Sequence, residues 1–182
     1  MFLYTVGGLV ALGGLFLMVD YNSFIKLRNI VEEAFSTMDV FMKKRVDLIP
    51  NLVETVKGYA RHEAETLEKV VQARNLAMNS RTMGEKEAGE NQLTGTLKSL
   101  FALSESYPEL KADAQFLDLQ QQLQRVEEDI ANARKYYNAV VKSFNTKVES
   151  FPSNFVARLF GFKKKEFFVI AEAQRENVEV KF

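Results

Sequence analysis

His62 is the sole histidine of the chain, and Glu63 and Glu65 follow it closely. An imidazole beside carboxylates on a helix is how a metal site begins. A helical zinc-protease site needs a second histidine one turn on, so that both ligands face one ion. Position 66 is Thr66, so the motif is incomplete and His62 with Glu63 reads as a solvated pair. Cysteine is absent. This excludes disulfides, thiolate nucleophiles, Cys-ligated zinc, iron–sulfur clusters and a lipid-modified N-terminal cysteine. No Gly-x-Ser-x-Gly elbow, Walker loop or dinucleotide fingerprint occurs. Lysine plus arginine number 24 and aspartate plus glutamate 24, and a neutral chain lacks the cationic excess of a non-specific nucleic-acid binder. The sequence thus predicts no catalytic residue, no metal ligand, no cofactor and no nucleic-acid partner.

Two other constellations carry polar chemistry. Arg45, Asp47, Asn51 and Glu54 gather around Pro50. A proline inside a helical stretch removes a donor and frees the carbonyl four residues back. These side chains are expected to satisfy backbone groups there, or to line a polar pocket at a bend. The segment from Phe155 to Ile170 holds five phenylalanines and four basic residues. Its Phe155, Phe160, Phe162, Lys163, Lys164 and Lys165 fit a membrane surface, where aromatics insert and cations meet anionic headgroups. The competing reading is a lid that packs its aromatics on a helical domain and exposes its lysines. The polar stretch from Glu172 to Phe182 reads as extended or loose.

These groups need positioning elements, and every periodic stretch is helical. Residues Phe2 to Val19 carry no charge. As a helix they span roughly 27 Å, close to the hydrocarbon thickness of a bilayer. Asp20 ends the run. A single transmembrane helix is predicted, with a cleaved signal peptide as the rival reading. Basic residues follow the span (Lys26, Arg28, Lys43, Lys44, Arg45) and none precedes it, which places the bulk of the chain in the cytoplasm under an inner membrane. Gly7, Ala11 and Gly14 share one face, suited to close association of membrane helices. Glycine is also simply tolerated in membrane spans.

Past Tyr21, apolar residues recur in steps of three and four as Phe24, Leu27, Val31, Ala34, Met38 and Phe41. The phase slips between Leu48 and Val53, so Pro50 is expected to mark a kink or a corner. Asn79 to Gly95, with three glycines and few apolar residues, reads as a loop. Ser106 to Glu109 resembles a capping box with proline in the first turn. The clearest seam is Phe116, Leu119, Leu123, Val126, Ile130, Ala133, Tyr137, Val140 and Phe144, spaced 3, 4, 3, 4 throughout. Glu127 falls off that seam, so its truncation is expected to be nearly neutral. Ser153 is expected to cap a short amphipathic turn that Gly161 stops. Such helices with short connections favour an all-α antiparallel bundle, with a single hairpin kinked at Pro50 and Pro108 as the alternative. The expected organisation is an anchor at 1–19, a helical domain at 20–152 and an amphipathic aromatic and basic segment at 153–182.

Three segments resemble the LemA family: EEAFSTMDVFMKKRVDLIPNLVETVKGYARHE from Glu32 to Glu63, YPELKA at Tyr107–Ala112, and ARKYYNAVVKSFNTKVESFPSNFVARLFGF from Ala133 to Phe162. The resemblance runs from about Tyr21 onward. It implies an N-terminal membrane anchor and an antiparallel, up-and-down bundle of four long helices. It implies no catalytic activity. The expectation is a membrane-anchored, non-enzymatic scaffold that contacts membrane lipid and self-associates. An adaptor for a membrane partner such as a protease, or a protein that remodels the membrane surface, is the alternative.

Overall fold

A computed structural model describes residues 2–169. Ile170 and the stretch from Glu172 to Phe182 lie outside the described residues. Among those described, every regular element is helical: α1 (Phe2–Tyr59), α2 (Ala64–Asn79), α3 (Met83–Ser104), α4 (Pro108–Lys111), α5 (Ala114–Glu149) and α6 (Ser153–Phe160). α1 begins inside the apolar run and passes Asp20 and Pro50 without a break.

Pro50 is thus not a corner. The carbonyl it frees, that of Val46, accepts a hydrogen bond from Arg74 Nε of α2 at 3.2 Å, which removes the cost of an orphaned acceptor. The apparent phase slip is also absent. Buried positions run Met38, Met42, Arg45, Ile49, Leu52 and Val56 in unbroken steps of four and three. A charged residue, Arg45, occupies one slot, which hides the stripe from an apolar pattern.

The stretch read as a loop, Asn79 to Gly95, is mostly helix, and only residues 80–82 connect α2 to α3. Thr82 and Glu85 form a capping box at the start of α3. The Thr82 and Arg81 backbone N–H groups hold the Glu85 carboxyl below the ordinary carboxylate range. Gly89 is there for packing. A Cβ on it would lie 2.8 Å from the Ala77 Cα atom, so α2 and α3 approach closely only because it is absent. At α4 the N-cap is Tyr107, not Ser106, and it makes no side-chain cap. Its hydroxyl instead donates to Glu63 at 3.0 Å. Asp113 accepts from the Phe116 N–H at 2.8 Å at the start of α5 and from the Tyr59 hydroxyl at 2.9 Å. These bonds, the Phe116 N–H first, hold the Asp113 carboxyl below its ordinary value.

The chain forms two compact units. The first takes residues 2–37 with 133–167, and its core joins Phe24, Val31 and Ala34 to Tyr137, Val141, Phe144, Val156 and Ala157. The second takes residues 38–132 with 168 and 169, and its core runs from Val46, Ile49 and Leu52 through Val70, Leu93, Leu97 and Leu100 to Phe116 and Leu123. Along α5 the seam positions Phe116, Leu119, Leu123, Val126, Ile130, Tyr137 and Phe144 are buried, while Ala133 and Val140 are half-buried. Val141, next to Val140, is fully buried.

Candidate functional site

Two places gather polar or exposed apolar chemistry, one in each unit. In the second unit the Arg45 side chain is 1% exposed. Its guanidinium forms ion pairs with Glu90 of α3 and Glu127 of α5, and donates to Thr94 Oγ1 at 3.0 Å and to the Glu90 carbonyl at 3.3 Å. A planar fork with several donors suits such a site better than an ammonium. Burial pushes the Glu90 carboxyl above its ordinary range; Arg45 opposes that and the Glu127 carboxylate adds to it. Asp47, Asn51 and Glu54, expected beside Arg45, stand elsewhere. Asp47 pairs with Lys43 at 3.2 Å on the surface, Glu54 with Lys57 at 3.8 Å, and Asn51 is exposed. A cavity of about 290 Å³ beside this cluster is lined by Asp39, Lys43, Asp47, Lys86 and Glu90, and within it Lys43 pairs with Asp47 and Lys86 with Asp39. Glu127 is therefore not a bystander, because a partner far away in sequence reaches it. His62 is exposed, while Glu65 pairs with Lys69 at 2.6 Å.

In the first unit the end of the apolar run is fastened down. Asp20 is nearly buried; it accepts from Lys147 Nζ at 2.6 Å and from the Ser153 hydroxyl at 3.0 Å. Lys147 also donates to Ser23 at 2.9 Å and stands 4.9 Å from the centroid of the Phe24 ring. Residues 162–166 run as an irregular strap along α5. The Asn145 carboxamide donates to the Lys165 carbonyl at 2.9 Å and accepts from the Lys165 N–H at 2.8 Å, and the Tyr137 hydroxyl donates to the Glu166 carbonyl at 2.9 Å. Gly161, at φ +73°, turns the chain from α6 into this strap.

The aromatic and basic segment divides accordingly. Phe162 stacks on Phe24, their centroids 4.6 Å apart and their planes 13° apart. Lys165 is half-buried beneath its backbone bonds. Phe155 and Phe160 point outward, at 61% and 49% exposure; Lys163 and Lys164 are exposed, Lys164 in an ion pair with Glu149. Phe151 and Leu159, which the sequence did not single out, are exposed beside them. Gly7, Ala11 and Gly14 are exposed along α1, and a Cβ at Gly7 or Gly14 would touch nothing. Residues 4–19 form part of a helix long and apolar enough to cross a membrane.

Comparison with known proteins bears on this arrangement. Residues 34–182 match the LemA family, a stretch that takes in Arg45, Glu90, Glu127, α6 and the strap. Protein LemA of Metamycoplasma hominis is 26% identical over 162 residues, covering 87% of this chain and 73% of that protein. Magnetosome protein MamQ 2 of Paramagnetospirillum magneticum is 24% identical over 178 residues. Magnetosome protein MamQ of Magnetospirillum gryphiswaldense is 22% identical over the same length. In both cases the match covers 84% of this chain and 65% of the magnetosome protein.

Proposed function

Since the chain belongs to the LemA family, we propose that it is a membrane-anchored, non-enzymatic scaffold. It is held in the inner membrane by residues 2–19 and carries an antiparallel up-and-down bundle of four long helices on the cytoplasmic side. The supporting observation is the first third of α1. Leu9 and Val10 are each 70% exposed, and Leu12, Leu15, Met18 and Val19 are also bare, whereas the same helix from Phe24 onward hides an apolar stripe. Apolar side chains around an entire helix need hydrocarbon, not water. Two of the relatives are named as magnetosome proteins, which accords with a role at a membrane.

Extraction tests the anchor, and labelling the orientation. The full chain should stay with membranes in alkaline carbonate, and a chain starting at Asp20 should leave them. Ala88, exposed on α3, offers a labelling position in a chain with no cysteine. Ala88→Cys should resist a membrane-impermeant thiol reagent in intact cells and react after lysis. Release of the full chain by carbonate removes the anchor reading, and labelling of intact cells reverses the orientation.

The scaffold's partner is proposed to be a second copy. Gly7, Ala11 and Gly14 present a bare small-residue face, and membrane helices associate by close backbone approach at such faces. Gly7→Leu with Gly14→Leu should block that approach yet preserve insertion. Light scattering in mild detergent should then give a smaller particle than the parent chain. If both run as the same oligomer, this face does not direct assembly. If both are monomers, self-association is wrong, and an adaptor for a different membrane protein, such as a protease, takes its place.

A further inference from the structure

Both ends of α6 are fastened to the same turn of α1. Ser153, its first residue, donates its hydroxyl to Asp20 at 3.0 Å. Phe160, its last, packs its ring against Tyr21 with centroids 4.8 Å apart. Eight residues of helix extend about 12 Å, whereas neighbouring residues rise only about 1.5 Å along a helix axis. α6 therefore lies across α1, not along it, at the level where the uncharged run stops.

The two sides of α6 are unlike. Val156 and Ala157 are buried in the first unit. Phe155 and Leu159, one turn apart, are 61% and 67% exposed. Phe151, just before the helix, is exposed too and meets Phe155 edge-on at 5.9 Å. Phe160 closes the row, and Arg158, Lys163 and Lys164 stand exposed among these groups. A cluster of large apolar side chains rimmed by cations marks a binding surface, not ordinary solvated protein.

We infer that α6 is an interfacial helix lying in the headgroup layer of the bilayer that α1 crosses. Phe151, Phe155 and Leu159 enter the acyl boundary, and Arg158 and Lys163 meet anionic headgroups. The inference rests on reading residues 2–19 as a membrane span. A helix lying across that span at its end is parallel to the membrane plane, the attitude of amphipathic surface helices. Continuity with the span is what selects the bilayer as the occupant. α1 delivers α6 to the surface, so eight residues that would bind weakly alone act at high effective concentration. Aromatic rings are favoured at that depth because they are broad, rigid and apolar. The Asp20–Lys147–Ser153 contacts then act as a rigid bracket between span and surface helix.

The absence of cysteine allows a direct test on the full chain. Phe155→Cys, Leu159→Cys, Leu9→Cys and Ala88→Cys are each labelled with a nitrobenzoxadiazole fluorophore and reconstituted into vesicles of phosphatidylcholine and phosphatidylglycerol. Labels at 155 and 159 should lose most of their emission to nitroxide-bearing lipid and little to aqueous iodide. The label at 88 should behave the opposite way, and the label at 9 should report the bilayer interior. Iodide access at 155 and 159 with lipid contact at 9 overturns the interfacial helix and leaves the span standing. Iodide access at 9 as well removes the span reading beneath it. Shielding at 155 and 159 from both quenchers assigns this face to a second copy of the chain and overturns the inference.

Discussion

Arg45→Met is expected to cost about 3–5 kcal/mol at neutral pH, far more than loss of any surface charge. The arginine occupies a core slot of α1, and its guanidinium is the counter-charge for Glu90 and Glu127. Methionine fills much the same volume but leaves two carboxylates facing each other, with the Glu90 side chain only 12% exposed. The dominant cost is that of an uncompensated buried charge, not lost packing. The double variant Arg45→Met with Glu90→Gln should recover part of the loss, because the more deeply buried of the two charges is gone. Glu127→Ala should cost on the order of 1 kcal/mol, since its side chain is 40% exposed and water takes over part of its solvation.

The pH dependence follows from Glu90. Burial raises its carboxyl in the folded chain. A group with a raised folded value stabilises fully below its unfolded value, and that contribution is lost as pH rises through the folded one. Removing Arg45 takes away the main opposing charge and raises that carboxyl further. The loss caused by Arg45→Met should therefore be greatest near neutrality and shrink as pH falls toward the ordinary range of a glutamate carboxyl. Urea melts in detergent at two pH values check this. A loss that is the same at both, or one under about 1 kcal/mol, would mean that the three charged groups do not act as a unit.

The sequence made the helical class and the α5 seam legible because both are local. Spacings of three and four from Phe116 to Ile130 need only the geometry of one helix. Val140 was misplaced by one residue: Val141 takes the fully buried slot while Tyr137 and Phe144 on either side keep theirs, a local exchange that spacing does not foresee. The ion cluster was illegible for the opposite reason. Arg45, Glu90 and Glu127 are far apart in the chain, and each looks like an ordinary charged residue on its own helical wheel. The glycines after Asn79 misled because glycine serves both turns and close helix contacts. Only the 2.8 Å approach at Gly89 tells the two uses apart. Pro50 posed the same ambiguity, and the deciding partner, Arg74, lies on another helix. In the aromatic segment composition alone could not sort inward rings from outward ones. Phe155 turned out because it lies on the side of α6 away from the buried Val156 and Ala157, and Phe162 turned in beyond Gly161, whose left-handed backbone ends the helix and redirects the chain.

That sorting gives the second large effect. Phe24→Ala should cost about 3–5 kcal/mol, whereas Phe155→Ala should fall within about 0.5 kcal/mol of the parent. Phe24 is fully buried. Its ring stacks on Phe162, meets Phe144 edge-on at 6.0 Å, and lies under the Lys147 ammonium. Truncation therefore leaves a cavity at the foot of the apolar run and strips the strap of its aromatic support. Phe24→Leu keeps most of the apolar area and loses chiefly the ring–ring contacts, on the order of 1 kcal/mol. The strap supplies a second, local readout. Lys163, Lys164 and Lys165 are held in the strap by Phe162 and by the Asn145 and Tyr137 bonds. With the Phe24 ring gone, local opening should become easier before the whole unit melts, and trypsin should cut there faster in Phe24→Ala than in Phe155→Ala at equal enzyme. If the two variants melt alike and are cut alike, Phe162 is not seated on α1 and the strap is held by its backbone bonds alone. If only Phe155→Ala is destabilised, the inward and outward faces of this segment are reversed.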